Sequence, residues 1–439
     1  MAPPTPEILR QVAAIRFGLG PRLDQPLPED PEAWLKAQLD APDPPTPDAP
    51  DLAARFRALE LDRKEPVPKG ERSRVSLLAR DAGAAYQSRC IMTEAPFRER
   101  LVAFWANHLT VSRRAATVQI LADDYLDRAI RPHATGRFAD MLVAATRHPA
   151  MLAYLDNGGS VGPNSPAGRR RQRGMNENLA REILELHTLS PARTPFGGYT
   201  QGDVVELAKI LSGWSFERVQ EPLGFRFRTN AHEPGTKTLL GRHFEEGEAA
   251  GEAALRMLAD HPATHRHLAV KLVRHFVADA PPPDAVRAIE GVLRDTGGDL
   301  GAAARALIGI PGAWDPPLAK LRTPQDHIIA ACRALGAGPE LGGIAIGATF
   351  GLGQTLWMAP APNGWPDTAG DWSAPEGVLM RSEWVYSLAA RFGRFDPREV
   401  ARVALGPLAR AETVTAVARA GSVRDALTLA LASPEFMRR

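Results

Sequence analysis

Between Glu177 and His187, within the string MNENLAREILELHTL (175–189), five ionisable side chains fall in roughly three helical turns. Glu177, Arg181 and Glu185 recur every four residues along one edge, with Asn178 and Glu182 in the row beside them. Leu179, Ile183 and Leu186 fall on the opposite, core-facing stripe. Two carboxylates beside an arginine suit general acid–base work, with Glu177 or Glu182 exchanging the proton and Arg181 orienting it. The loop just before, GPNSPAGRRRQRG (162–174), offers Arg169, Arg170 and Arg171 as a bidentate clamp for a phosphate, sulfate or uronate. A solvated ion-pair network gathers the same residue types.

Further along, His232 and Glu233 sit in AHEPGTK, a Pro/Gly-bounded ribbon of the kind that carries binding groups, and Lys237 follows. His232 is expected to act with the carboxylates, and Lys237 with Asn178 and the Arg loop to hold substrate. His267, Lys271, Arg274 and His275 line one face of the helix that begins at Pro262, with Leu268, Leu272 and Phe276 on another. Such a stripe is expected to pair with the Glu-rich helix. His108 shares an apolar face with Phe97, Leu101, Phe104 and Trp105, the pattern of a satisfied core histidine. Trp357, Trp365 and Trp372 lie in or beside one loop with Asn363 and Asp367. Aromatic faces with amides at the rim grip sugar rings, and they also pin loops to a core. Asn363 and Trp365 are taken as substrate-binding. No metal site is expected, because Glu185 and His187 point apart on a helix and neither HExxH nor ExxH occurs. A metalloprotein built from His108, His232 and glutamates is the outlying alternative. No Walker loop, GxSxG elbow or Rossmann fingerprint is present, and the sequence leaves any cofactor unknown.

The elements that must carry these residues are helices. Abundant Ala and Leu, few β-branched runs and an aromatic share of 6% favour helix, and 39 prolines must punctuate many short ones. The fold expected is all-α, one large multi-helical domain over 1–439 with an N-terminal helical layer at 1–92. A small β-hairpin or ribbon is inserted near 224–240, where Phe225 and Phe227 alternate with arginines. Before the Thr200 helix, Thr200 and Asp203 have the spacing of a capping box. A formal charge of +2, from 53 basic and 51 acidic residues, argues against a nucleic-acid binder. The most apolar window, Leu341 to Trp357, is broken by glycines and reads as a buried helix and turn, not a membrane span. Cys90 and Cys332 are too far apart in sequence to suggest a disulfide framework. MAPPTPEILRQ lacks a basic and then apolar leader, so a cytoplasmic location is expected.

Several blocks, in one order, together resemble a known family. They are AIRFGLGPR, FADMLVAATRHPAMLAYLDN, NENLAREILELHTL, YTQGDVVELAKILSGW, FRFRTNAHEPGTKTLLG, LGQTLWMAPAPNGWP and SPEFMRR. The family is the bacterial one called domain of unknown function 1800, and the resemblance runs from about Ala14 to the end of the chain. It implies no established activity. It does imply a sulfatase-like protein encoded nearby as a partner, since family members are often exported and lie beside sulfatase-like proteins with twin-arginine signals. Export together with such a partner, to the periplasm, is then the alternative to a cytoplasmic location. Two functions follow from these residues. One is a hydrolase- or lyase-like enzyme acting on a polar anionic or glycan-type substrate. The other is a non-catalytic partner or assembly protein for a sulfatase-like protein.

Overall fold

A computed structural model describes residues 4–43, 49–65, 67–171, 174–191 and 198–439, except for the side chain of Arg171. Proline stands in the first turn of many helices, among them Pro6–Val12, Pro31–Asp40, Pro96–His108, Pro262–Phe276, Pro324–Ala334 and Pro375–Ala389. Its fixed φ suits a helix start, and the N–H it lacks would be unpaired there anyway. The described residues form twenty-three α-helical segments and two small antiparallel sheets of two strands each. The chain is therefore all-α with a small β insertion. Among the described residues no helix is long and apolar enough to cross a membrane.

The β insertion is wider than the periodicity suggests. Trp214–Glu217 pairs with Gly224–Phe227, and Lys237–Leu239 pairs with Arg242–Phe244. The two halves of the predicted ribbon thus pair outward with flanking residues instead of with each other. Trp214 begins a strand, and its ring meets Phe225 edge-on at 5.2 Å. The preceding helix, Gln201–Ile210, opens on the capping box, with Thr200 Oγ1 accepting from the Asp203 amide at 3.2 Å and Asp203 Oδ2 accepting from the Thr200 amide at 2.8 Å.

The main apolar cluster joins the first hundred residues to the middle of the chain: Val12, Phe17, Leu35, Phe56 and Cys90 share it with Phe97, Phe138 and Phe276. Phe17 stands edge-on to Phe97 at 5.6 Å, and Phe97 edge-on to Phe276 at 5.8 Å. These contacts hold the Pro96–His108 and Pro262–Phe276 helices together. A second cluster gathers Ile328, Cys332, Leu335, Val385, Val400, Leu427 and Phe436. The helix Pro324–Ala334 serves both, since Ile329 belongs to the first cluster and Ile328 to the second.

The charged helix is split. An α-helical turn runs Asn178–Glu182, and a wider π-type turn follows at Ile183–His187. Asn176 Oδ1 accepts from the Asn178 amide at 2.9 Å and starts it. Glu177 and Arg181 form one rung of the expected ladder at 3.0 Å. No second rung from Arg181 to Glu185 occurs among the described residues, because the wider turn breaks the four-residue register there.

Candidate active-site cleft

Three helices and one loop supply most of the polar wall of a cleft of about 750 Å³, and Leu19, Tyr86, Cys90 and Leu186 also line it. The Pro96–His108 helix contributes Arg100, Phe104, Asn107 and His108 from one face. The Pro262–Phe276 helix contributes His267, Lys271 and Arg274 at four- and three-residue steps, with His275 beside them. Asp326 comes from the Pro324–Ala334 helix, whose N-cap Thr323 accepts from the Asp326 amide at 3.2 Å. Trp357, Asn363, Trp365 and Asp367 come from the loop between residues 353 and 368.

That loop is tied down at both ends. Asn107 grips the Trp365 backbone twice, its Oδ1 accepting from the Trp365 amide at 2.7 Å and its Nδ2 donating to the Trp365 carbonyl at 2.9 Å. The turn before it needs Gly364, which has φ 79°, and an added Cβ there would stand 2.4 Å from the Asn107 carbonyl oxygen. At the far end His275 Nδ1 meets Asp367 Oδ2 at 2.7 Å, and Lys320 donates to the Asp367 carbonyl at 2.7 Å. Arg439, wholly buried, lies 3.6 Å from Asp367 and 3.2 Å from Asp326. Arg100 closes on Asp326 at 3.1 Å. Burial alone would raise the Asp367 carboxyl, but His275, Arg439 and Lys320 outweigh it and hold it at about 2. Burial likewise pushes His275 down to about 4 against the pull of Asp367. The imidazole is then neutral and donates its Nδ1–H to the carboxylate, and its Nε2 has no partner among the described residues.

Lys271 lines the cleft and meets His108. Its Nζ lies 3.0 Å from His108 Nδ1. His108 Nε2 lies 3.1 Å from the His187 carbonyl, an acceptor only, so Nε2 carries the hydrogen and Nδ1 must accept from Lys271. His267 Nε2 donates in the same way to the Leu186 carbonyl at 3.1 Å. Burial holds His108 well below the ordinary histidine range and pulls His267 down to about 4, so both rings are neutral. Lys271 forms no ion pair with a carboxylate among the described residues. Burial therefore pushes it down to about 8, with repulsion from Arg274 adding and the more distant Asp367 opposing. Arg274 also lacks a carboxylate partner there, its one hydrogen bond running from Nε to the Asp279 carbonyl at 3.4 Å. Lys271 and Arg274 thus stand on the cleft wall with no carboxylate in direct contact among the described residues.

The residues singled out by sequence fall into separate places. Asn363 and Trp365 line the cleft, and Glu177, Asn178, Arg181, Glu182, Arg169, Arg170, His232 and Lys237 do not. Glu177 and Arg181 pair with each other and with Gln201 at the surface. Glu182 is half-buried, and burial followed by repulsion from Glu185 raises its carboxyl. Arg169 and Arg170 are exposed on the short helix Pro166–Arg171, and the Arg171 side chain lies outside the described residues. His232 and Lys237 come together in the β insertion. His232 Nδ1 donates to the Ser212 carbonyl at 2.8 Å, while its Nε2 accepts from Lys237 at 3.1 Å and from the Gly247 amide at 3.0 Å. Glu233 meanwhile accepts twice from Asn164, at 2.9 and 2.6 Å. The charged helix does reach the cleft, but through its end: Leu186 lines it, and the Leu186 and His187 carbonyls hold the two histidines. The stripe on the Pro262 helix therefore meets the Glu-rich helix at its carbonyl terminus and not at its carboxylates. Among the described residues no group of three or more His, Cys, Asp or Glu side chains is arranged to hold a metal ion.

A family model described as protein of unknown function (DUF1800) matches residues 12–438. The chain belongs to this family. No curated protein and no solved structure matches it. For this DUF1800 member the cleft spans the family match from near its start, at Leu19, to Asp371. Sequence reasoning had the stripe His267, Lys271, Arg274 and His275 in hand but not its setting. The available signal was a lysine and two histidines on a helix whose other face carries Leu268, Leu272 and Phe276.

Proposed function

We propose that this protein is an enzyme of hydrolase or lyase type acting on a polar, anionic substrate in the cleft. Lys271 is the reacting amine and base, and His108 accepts its hydrogen bond. Arg274 holds the anionic group, while Trp365 and Asn363 contact the rest of the substrate at the rim. The observation that carries this is the 3.0 Å contact from Lys271 to a neutral His108, with no carboxylate pairing to keep the amine charged. A lysine costs several kcal/mol to bury as an unpaired cation, so a site that keeps one has a use for the neutral form.

The test is an activity screen over uronate-bearing glycans, phospho- and sulfo-esters and small oxo acids. Lys271→Met is expected to lose at least about a hundredfold in kcat/KM on whichever substrate emerges. Equal activity would remove the cleft from the account. Glu182→Gln serves as the comparison arm for the other centre read from sequence. In that centre Glu177 or Glu182 is the acid–base, Arg181 orients it, and His232, Asn178, Lys237 and Arg169 to Arg171 bind substrate. Loss in Glu182→Gln with none in Lys271→Met would move the chemistry there.

A second reading, a non-catalytic partner of a sulfatase-like protein encoded nearby, is favoured by apolar side chains left at the surface. Phe350, 77% exposed, and Leu379 and Met380 on the Pro375–Ala389 helix are among these. Co-purification of an obligate complex, with no activity in the screen, would support it.

A further inference from the structure

We infer that Lys271 captures the carbonyl carbon of a small oxo acid as an imine, with the substrate carboxylate against Arg274. This deepens the proposed function, on which it rests, by naming the substrate class and the bond made. The geometry leaves the amine few other states. His108 Nδ1 can only accept, so Lys271 gives it one N–H at 3.0 Å. Nothing among the described residues pairs with the amine as a carboxylate would, and Phe104, Val270, Leu356 and Trp357 make the adjoining wall apolar. Once neutral, the amine keeps a lone pair, and Lys271 and its partner His108 both line the cleft.

The steps balance. The Nζ lone pair attacks the carbonyl carbon and forms a C–N bond while the carbonyl oxygen takes up a proton, giving a carbinolamine. Loss of that hydroxyl as water, with the second proton from nitrogen, leaves the imine. Hydrolysis later returns the water and frees the amine. When protonated the imine retains a single N–H, and His108 Nδ1 is already placed to accept it. The same contact thus serves the free amine and the electron-withdrawing iminium. Arg274 stands three residues on along the helix, a neighbour at about 5–6 Å between Cβ atoms. A short oxo acid spans that distance, and the guanidinium edges left free by the single Nε contact suit a carboxylate. Lys320 is an internal contrast: it is also buried, but Asp279 and the Asp367 carbonyl hold its ammonium.

The full-length protein is incubated with glyoxylate or acetaldehyde and cyanoborohydride, and the reduced adducts are placed by peptide mass mapping. Lys271 is expected to be modified at least about tenfold faster than exposed Lys36 or paired Lys320. Glyoxylate should outpace acetaldehyde at Lys271, and Arg274→Gln should abolish that preference. Modification of Lys271 no faster than of Lys36 overturns the imine, and equal rates with the two aldehydes overturn the oxo-acid assignment. Failure of the underlying function looks different. If Lys271→Met stays fully active on a substrate found by screening, the cleft reading falls. If turnover needs Lys271 but glyoxylate with cyanoborohydride does not trap it, only the imine falls and the lysine acts as a base.

Discussion

Replacing Lys271 with methionine should stabilise the protein at neutral pH and destabilise it at high pH. The folded protein holds this lysine at about 8 against an ordinary 10.5, which corresponds to a penalty of about 3 kcal/mol. A cationic group pulled down on folding carries its full penalty below the folded value, about pH 8, and sheds it as the pH rises towards 10.5. Methionine matches the stem in length and carries no charge. It leaves His108 Nδ1 without its donor, at a cost of about 1–2 kcal/mol. The net expectation at pH 7 is a gain of about 1–2 kcal/mol. For a chain of 439 residues that is about 1–2 °C in Tm. Near pH 10.5 the penalty has gone, and the variant should be less stable than wild type by the lost hydrogen bond. Urea unfolding of both proteins at the two pH values, followed by far-ultraviolet circular dichroism, reads the difference. A sign change between them is the signature. A variant equally destabilised at both would show that Lys271 is an ordinary paired ammonium.

Gly364→Ala should cost about 2–3 kcal/mol and loosen the Trp365 turn, since its Cβ would meet the Asn107 carbonyl and its φ is 79°; tryptophan fluorescence and urea unfolding check this. Asp367 is held at about 2 against an ordinary 3.8, so its stabilisation is present above about pH 4 and is lost as pH falls through about 2. Acid unfolding of Asp367→Asn should therefore show a shallower pH dependence below pH 4, on a baseline lowered by about 1–3 kcal/mol because His275 loses its charged acceptor while Lys320 and Arg439 keep Asp279 and Asp326. Burial raises both thiols, Cys332 to about 12, so neither Cys90 nor Cys332 should react with a thiol reagent until urea unfolds the chain. Rapid reaction in the native state would refute their burial.

Local physics made the fold class legible. Proline at helix starts, the Thr200–Asp203 capping box and the apolar stripes of the Pro96 and Pro262 helices all stand where their spacing puts them. Non-local pairing was less visible. The ribbon's strands took partners outside the alternating run, because register is chosen by neighbours such as Trp214 that belong to another element. The charged helix drew attention through its carboxylates, yet its wide turn at Ile183–His187 breaks their register and turns its last carbonyls onto His108 and His267. Periodicity assumes one residue rise throughout, so such a turn is invisible to it. Asn363 and Trp365 were singled out as members of a Trp-rich loop with amides and acids, and both line the cleft. Lys271 and Arg274 were seen as a stripe only. Whether a stripe faces water or a cleft depends on a loop some ninety residues away, where Asp367 ties to His275.

The direct test of Lys271 as the reacting amine is a competitive labelling titration with acetic anhydride, from about pH 6 to about pH 11, with each lysine read by mass spectrometry. Burial first, then repulsion from Arg274 against the pull of Asp367, leaves the amine half-deprotonated near pH 8, with His108, His267 and His187 neutral around it. Lys271 should label with a midpoint of about 8, well below the ordinary lysine value of about 10.4. A midpoint for Lys271 above about 10, the ordinary lysine range, would contradict the account at its centre.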